Sequence, residues 1–184
     1  AFTDGCIGDW AEDAAAAVIH LVDGPVILVG SSMGGWIMLQ VALARPDRVI
    51  GLVGIAAAPD FTEALAHGGL LPEQMLQLEL SGSCAIDNCY DDGDSYLISK
   101  TLLDEGREHC LLEREFIAID SPVRLLHGQR DEDVPWNRSL LLAEKLAGEN
   151  VELQLIKDGD HRLSRPRDLQ RLFATLEALL GDLD

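Results

Sequence analysis

Three residue types that together can cleave an acyl bond stand in this sequence as Ser32, Asp131 and His161. Ser32 is the centre of Gly30-Ser31-Ser32-Met33-Gly34, a G-x-S-x-G run. A serine hydroxyl is a poor nucleophile at neutral pH and needs exposure plus a general base within hydrogen-bond reach. A sharp strand-to-helix elbow supplies the exposure. It also places the first helical N–H groups, that of Met33 foremost, where an oxyanion would develop. Gly30 and Gly34 are expected to let strand and helix approach without a Cβ clash. The rival reading of such a turn is a phosphate-binding loop, but G-x-G-x-x-G and G-K-[ST] are both absent.

The elements needed to position these residues follow from the apolar spacing. Ile7, Trp10, Ala14, Val18 and Leu21 predict a helix over 8–22, stopped by Asp23-Gly24-Pro25. Apolar residues 26–29 then form a strand, and Trp36, Met38, Leu39 and Ala42 carry a helix from Met33 to Ala44, closed by Arg45-Pro46-Asp47. Residues 49–58 are apolar almost throughout, as expected of a parallel strand covered on both faces. A strand over 122–127, a helix from 137 or 139 to about 146, a strand over 151–156 and a helix over 167–180 complete the alternation, the last helix with Leu169, Leu172, Phe173, Leu176 and Leu179 inward. Strands alternating with helices predict an α/β fold on a parallel sheet with helices on both faces, its site on the loops beyond the strands' C-terminal ends. Ser32, Asp131 and His161 each lie just past such an end.

Residues 59–120 read differently. Helices are expected over 61–66, 72–80 and 96–110, with no strand pattern, so the chain divides into a core (1–58), a helical cap insertion (59–120) and a second core stretch (121–184) of one domain. Leu70, Leu71, Met75, Leu76, Leu78 and Leu80 fit either an acyl pocket or the packing of the cap on the body.

Composition narrows the partners. A formal charge of −18 over 184 residues repels nucleic acid and anionic membranes. No apolar run is long enough to span a membrane, and the N-terminus lacks a signal-peptide pattern. The densest acidic cluster, 87–94, reads as a solvated loop. Cys6, Cys84, Cys89 and Cys110 contain no C-x-x-C pair; Cys84 and Cys89 could meet across a loop, but so few cysteines fit a reducing, intracellular compartment. No metal or cofactor motif is present. Of the other histidines, His20 and His67 lie on helical stretches, His109 ends one and His127 ends a strand, and structural roles are expected for them.

The order Ser, Asp, His matches the α/β-hydrolase arrangement. His161 would then take the proton of Ser32 and pass it to the leaving group, with an aspartate fixing its tautomer. Asp131 and Asp133 are both candidates, whereas Asp160 reads as a turn residue. The resemblance extends over nearly the whole chain. Residues 30–60, 108–112, 122–136 (PVRLLHGQRDEDVPW) and 160–162 resemble the mitochondrial acyl-protein (palmitoyl) thioesterases that also cleave acyl glucuronides, and their bacterial relatives. The resemblance implies Ser32 as nucleophile, Asp131 as acid, His161 as base and a hydrophobic acyl ester or thioester, small or protein-borne, as substrate. It implies a cytoplasmic location, or a mitochondrial one in a eukaryote. Residues 83–94 depart from the family pattern. The strands that precede the first helix in this fold, one of whose loops gives the second oxyanion N–H, are also missing, so an N-terminally truncated hydrolase with an exposed, self-associating sheet edge is expected. The alternative is a non-catalytic binding module on the same scaffold.

Overall fold

The computed structural model describes residues 2–86 and 95–183. Helix α1 (Ile7–His20) leads into β1 (Val26–Ser31), α2 (Met33–Ala44) and β2 (Val49–Ile55). After an intervening segment come β5 (Val123–Gly128), α6 (Asn137–Lys145), β6 (Val151–Ile156) and α7 (Pro166–Leu183). The four strands form one parallel sheet in the order β1-β2-β5-β6, as the strand-helix alternation predicts.

Side chains alternate between the faces of a strand, and the two cores follow that alternation. Leu28, Leu52, Leu125 and Leu153 face α1, α2 and α6. Ile27, Val53, Leu126 and Ile156 face α7, where Leu172, Leu176 and Leu179 meet them. Leu169 and Phe173 do not point inward as the sequence suggested; both are exposed, and Asp168, Thr175 and Leu179 mark the buried stripe instead. Among the described residues β1 pairs with β2 alone and so forms one edge of the sheet, with Val29 half exposed.

Helix α2 is almost entirely apolar because it is covered on most sides. Trp36 is fully buried and meets Phe61 edge to face at 5.8 Å. Trp36 Nε1 and Gln40 Nε2 both donate to the His109 carbonyl, at 3.1 and 2.6 Å, tying the segment between β2 and β5 to α2.

That segment is not all helical. It holds α3 (Phe61–Ala64), continued by a wider turn over Leu65–Gly69, then α4 (Pro72–Ser81), an antiparallel ribbon of β3 (Ser83–Ile86) and β4 (Tyr96–Ser99), and α5 (Lys100–Gly106). The helix expected over 96–110 starts late because residues 96–99 pair antiparallel with β3. Ser99 then caps α5, its Oγ accepting from Leu102 N at 3.1 Å. The acidic stretch 87–94 and Cys89 lie outside the described residues; Cys6, Cys84 and Cys110 are free thiols.

The glycines of the elbow divide their work differently from the expected pattern. A Cβ on Gly30 would lie 2.4 Å from the Gly34 carbonyl oxygen, and one on Gly35 would lie 2.6 Å from Ala57 Cβ. A Cβ on Gly34 would meet nothing within 4 Å. The close approach therefore depends on Gly30 and Gly35, not on Gly34. Gly30→Ala and Gly35→Ala should each cost about 1–3 kcal/mol through overpacking. Gly34→Ala, inside a helix, should be neutral or stabilising by up to about 1 kcal/mol. Urea unfolding midpoints test this ranking, and a Gly34→Ala loss as large as that of Gly30→Ala would contradict it.

Candidate active site

Ser32 sits between β1 and α2 with φ 52° and ψ −124°, a backbone region that costs a non-glycine residue about 1–3 kcal/mol. Neighbours hold it there. Ser32 N donates to the Ile55 carbonyl at 2.9 Å, and the Ser32 carbonyl accepts from Gly35 N at 2.9 Å and Ala58 N at 3.0 Å. The residue after it, Met33, opens α2, so its N–H belongs to the turn that has no intrahelical acceptor. Met33 and Gly34 both line the cavity beside Ser32.

Asp131 and His161 reach Ser32 from the loops after β5 and β6. The two loops touch backbone to backbone: Arg130 N donates to the Gly159 carbonyl at 2.8 Å, and a Cβ on Gly128 would lie 2.3 Å from that oxygen. Glycine after His127 is thus required by close approach. Asp160 Oδ1 accepts from Leu163 N at 2.9 Å, which makes it the turn residue of the histidine loop.

The three side chains form a continuous chain. His161 Nε2 lies 3.1 Å from Ser32 Oγ, and His161 Nδ1 lies 2.8 Å from Asp131 Oδ2. With Nδ1–H donated to the carboxylate, Nε2 is free to accept the serine proton. Asp133 is exposed, and its N–H donates to Asp131 Oδ1 at 2.9 Å; Val134 N donates to the same oxygen at 2.8 Å. His127, read from sequence as structural, is fully buried with Nε2 3.0 Å from Asp131 Oδ2. His67 pairs with Glu63 and His109 with Glu105, while His20 is exposed on α1.

These contacts set the charges. Burial alone would raise the Asp131 pKa, but hydrogen bonds from His127, His161 and Val134 hold the carboxyl well below the usual carboxylate range. Burial alone would lower His161; the hydrogen bond and charge of Asp131, with the charges of Asp133 and Asp160, outweigh it and raise the imidazole above 6.5. Asp131, Asp133 and His161 could between them offer one ligand atom each within 4.8 Å. The oxygens of Asp131 already accept from two imidazoles and two amides, which suits a hydrogen-bonded acid better than a metal ligand.

A cleft of about 690 Å³ opens in front of Ser32 and His161. Phe61, Leu65, Leu71, Ile86, Tyr96 and Ile98 give it an apolar wall, and Asp133 and Arg138 add charge. Of the leucines and methionine singled out from sequence only Leu71 lines it. Leu70 and Leu78 are buried in the core, and Met75, Leu76 and Leu80 are exposed. The other apolar lining residues come from α3, the turn after it and the ribbon, and the sequence did not single them out for a pocket.

The profile of the alpha/beta hydrolase fold family matches residues 2–82. The rat mitochondrial palmitoyl-protein thioesterase ABHD10 is 39% identical over 177 residues, which is 96% of this chain and 59% of the rat protein. The chain thus spans less than two thirds of the curated relatives it matches. Among solved structures, mouse alpha/beta hydrolase domain-containing protein 10 superimposes with a TM-score of 0.88 at 38% identity, covering 98% of this chain and 71% of that one. A putative hydrolase from Agrobacterium vitis gives 0.90 at 37% identity, covering 97% and 70%.

A raised His161 pKa has a signed consequence. A base must be unprotonated, so kcat/KM toward a p-nitrophenyl acyl ester should climb with pH through a midpoint above 6.5, the ordinary histidine value. A profile flat between pH 5 and 8, or a midpoint below 6.5, would contradict this reading of the site.

Proposed function

The chain belongs to the α/β-hydrolase family, and from that premise we propose that it is a serine hydrolase of carboxylic esters or thioesters with hydrophobic acyl groups. The observation that carries the reading is the unbroken hydrogen-bonded path from Ser32 Oγ through His161 to Asp131. Ser32 Oγ attacks the acyl carbonyl while His161 Nε2 takes its proton. The Met33 N–H donates to the oxyanion. As the tetrahedral intermediate collapses, His161 returns the proton to the leaving alcohol or thiol and an acyl-Ser32 ester remains. Water, deprotonated by His161, then attacks that ester, releases the carboxylic acid and restores the serine. Asp131 stays ionised throughout, orienting the ring and stabilising the imidazolium.

The apolar wall of the cleft supports a hydrophobic acyl group, and the thioesterase name of the rat relative supports a thioester leaving group, small or protein-borne. In this reading residues 59–120 act as the cap that shapes the acyl site. No helix among the described residues is long and apolar enough to cross a membrane. The three free thiols agree with a reducing, intracellular compartment, the mitochondrial label belonging to the relatives. The edge strand β1, with Val29 half exposed, supports self-association by strand pairing.

A fluorophosphonate probe tests the nucleophile directly, since only an activated serine reacts. Labelling should occur on Ser32 and vanish in Ser32→Ala. A chain that does not label, while its circular dichroism shows it folded, would favour the binding-module alternative. His161→Ala and Asp131→Asn should each lower turnover by about 10³–10⁴. Asp133→Asn, whose side chain does not reach the His161 ring nitrogens, should cost far less; the reverse ranking would move the acid to Asp133.

Self-association has its own measurement. Light scattering should report a mass above 20.0 kDa that falls toward the monomer in Val29→Lys. A monomer at every concentration would remove the edge-pairing proposal without touching the catalytic one.

A further inference from the structure

Asp131 has a second imidazole on the oxygen that serves His161. Oδ1 is filled by two amides of its own loop, Asp133 N and Val134 N. Oδ2 lies 2.8 Å from His161 Nδ1 and 3.0 Å from His127 Nε2. His127 is on β5 with no exposed surface, and its other contacts fix its proton. Nε2 also faces the Val134 carbonyl at 2.9 Å, so both partners of Nε2 are acceptors and the hydrogen must sit there. Nδ1 is then an acceptor. Its partner is Ser139 Oγ at 2.6 Å, a hydroxyl on α6 that is itself 1% exposed and donates to it. Strand β5, the acid loop and α6 therefore hold one ring in one tautomer.

We propose that His127 is a positioning residue for the acid: its Nε2–H shares Asp131 Oδ2 with the base and holds that oxygen in the place where His161 Nδ1 meets it. The inference rests on the serine-hydrolase reading above. A carboxylate oxygen with a single donor concentrates its charge on that donor. A second N–H draws part of it away. His161 must stay unprotonated at working pH to accept the Ser32 proton, and it is already surrounded by acid. Asp131 and Asp133 face it from the loop after β5, Asp160 from its own loop and Ser32 Oγ from the elbow, while Glu132 and Arg138 line the same cleft. Without the His127 donor, His161 would be the one imidazole on Oδ2, and the pull of Asp131 on the His161 proton would be greater.

Two amide variants separate this role from simple packing. In His127→Gln the side-chain nitrogen reaches the place of Nε2 and can still donate to Oδ2. In His127→Asn it reaches only the place of Nδ1, beside Ser139. The 184-residue chain and both variants are compared for fluorophosphonate labelling of Ser32 and for p-nitrophenyl ester turnover between pH 5.5 and 9. His127→Asn should lower kcat about 10- to 100-fold, the range for outer partners of metal-bound histidines, with KM little changed. Its kcat/KM midpoint should move to higher pH by about half a unit or more. His127→Gln should stay within about threefold of the parent at an unmoved midpoint.

Equal losses in both variants with unmoved midpoints would reduce His127 to packing and overturn the proposal. Should His127→Asn fail to fold, imidazole ¹⁵N NMR of the unaltered chain decides, because the ring must carry its proton on Nε2; a proton on Nδ1 would overturn the assignment. Absence of Ser32 labelling in the unaltered chain would instead strike the hydrolase reading, and the tautomer measurement keeps the two failures apart.

Discussion

How closely α2 can lie on the sheet decides where everything else at the site stands. Gly30 and Gly35 remove the two Cβ atoms that would otherwise strike the Gly34 carbonyl and Ala57. With that approach fixed, the chain must reverse from strand to helix within one residue, and Ser32 takes the strained conformation. The strain of about 1–3 kcal/mol is opposed by three backbone hydrogen bonds to Ile55, Gly35 and Ala58, each worth about 0.5–1.5 kcal/mol net. The fully buried Trp36 and Leu39 further anchor the helix. Strain and support are of similar size, and the packing of α2 against the sheet through Trp36 and Leu39 adds to the support.

The same device recurs at the other two loops. Gly128 and Gly159 bring the backbones after β5 and β6 into contact, and Arg130 N bonds across the junction. Parallel strands in the order β1-β2-β5-β6 deliver all three loops to one edge of the sheet. Ser32 and His161, separated by 129 positions in sequence, come to hydrogen-bond distance through this topology and not through any local preference.

Much of this was legible in the sequence because the physics is local. Strands β1 and β2 and helix α2 follow from apolar runs closed by turn residues, and the elbow from its glycines. What was not legible depends on tertiary context. Tyr96 to Ser99 form a strand only because β3 is there to pair with it, and Ser99 reads as an N-cap only once the helix is known to begin at Lys100. Phe173 fits the helical period of α7 but lies on its solvent side, since the sheet face available to that helix is narrow enough to be covered by Leu172, Leu176 and Leu179. Gly34 matches the motif, yet its neighbour Gly35 is the crowded one, a distinction that exists only in the distances. The partnership of His127 with Asp131 had a faint signal in the four-residue spacing of His127-Gly128-Gln129-Arg130-Asp131. Nothing in the letters says that both rings reach the same oxygen.

Two buried carboxylates show why that oxygen matters. Asp60, beyond β2, accepts from Leu111 N and Leu112 N, yet burial, with a further push from Glu113, raises its pKa. Asp131 is buried too, but two imidazoles join its two amide donors and its pKa falls. Burial sets the direction at Asp60, where two amide donors do not offset it, and is outweighed at Asp131, where two imidazoles add to the amides. The signs of their stability contributions differ accordingly. Asp131 stabilises the fold above the ordinary carboxylate range and loses that contribution as pH falls toward its own depressed pKa. Asp60 binds its proton more tightly in the folded chain, so its contribution weakens as pH rises. In a chain of charge −18 the general field also favours protonated carboxyls, and Asp131, buried but without its imidazole donors, would drift toward Asp60's behaviour. The donors crowded around Asp131 keep it an anion across the range in which His161 titrates, which is the condition for the histidine to act as a base at all.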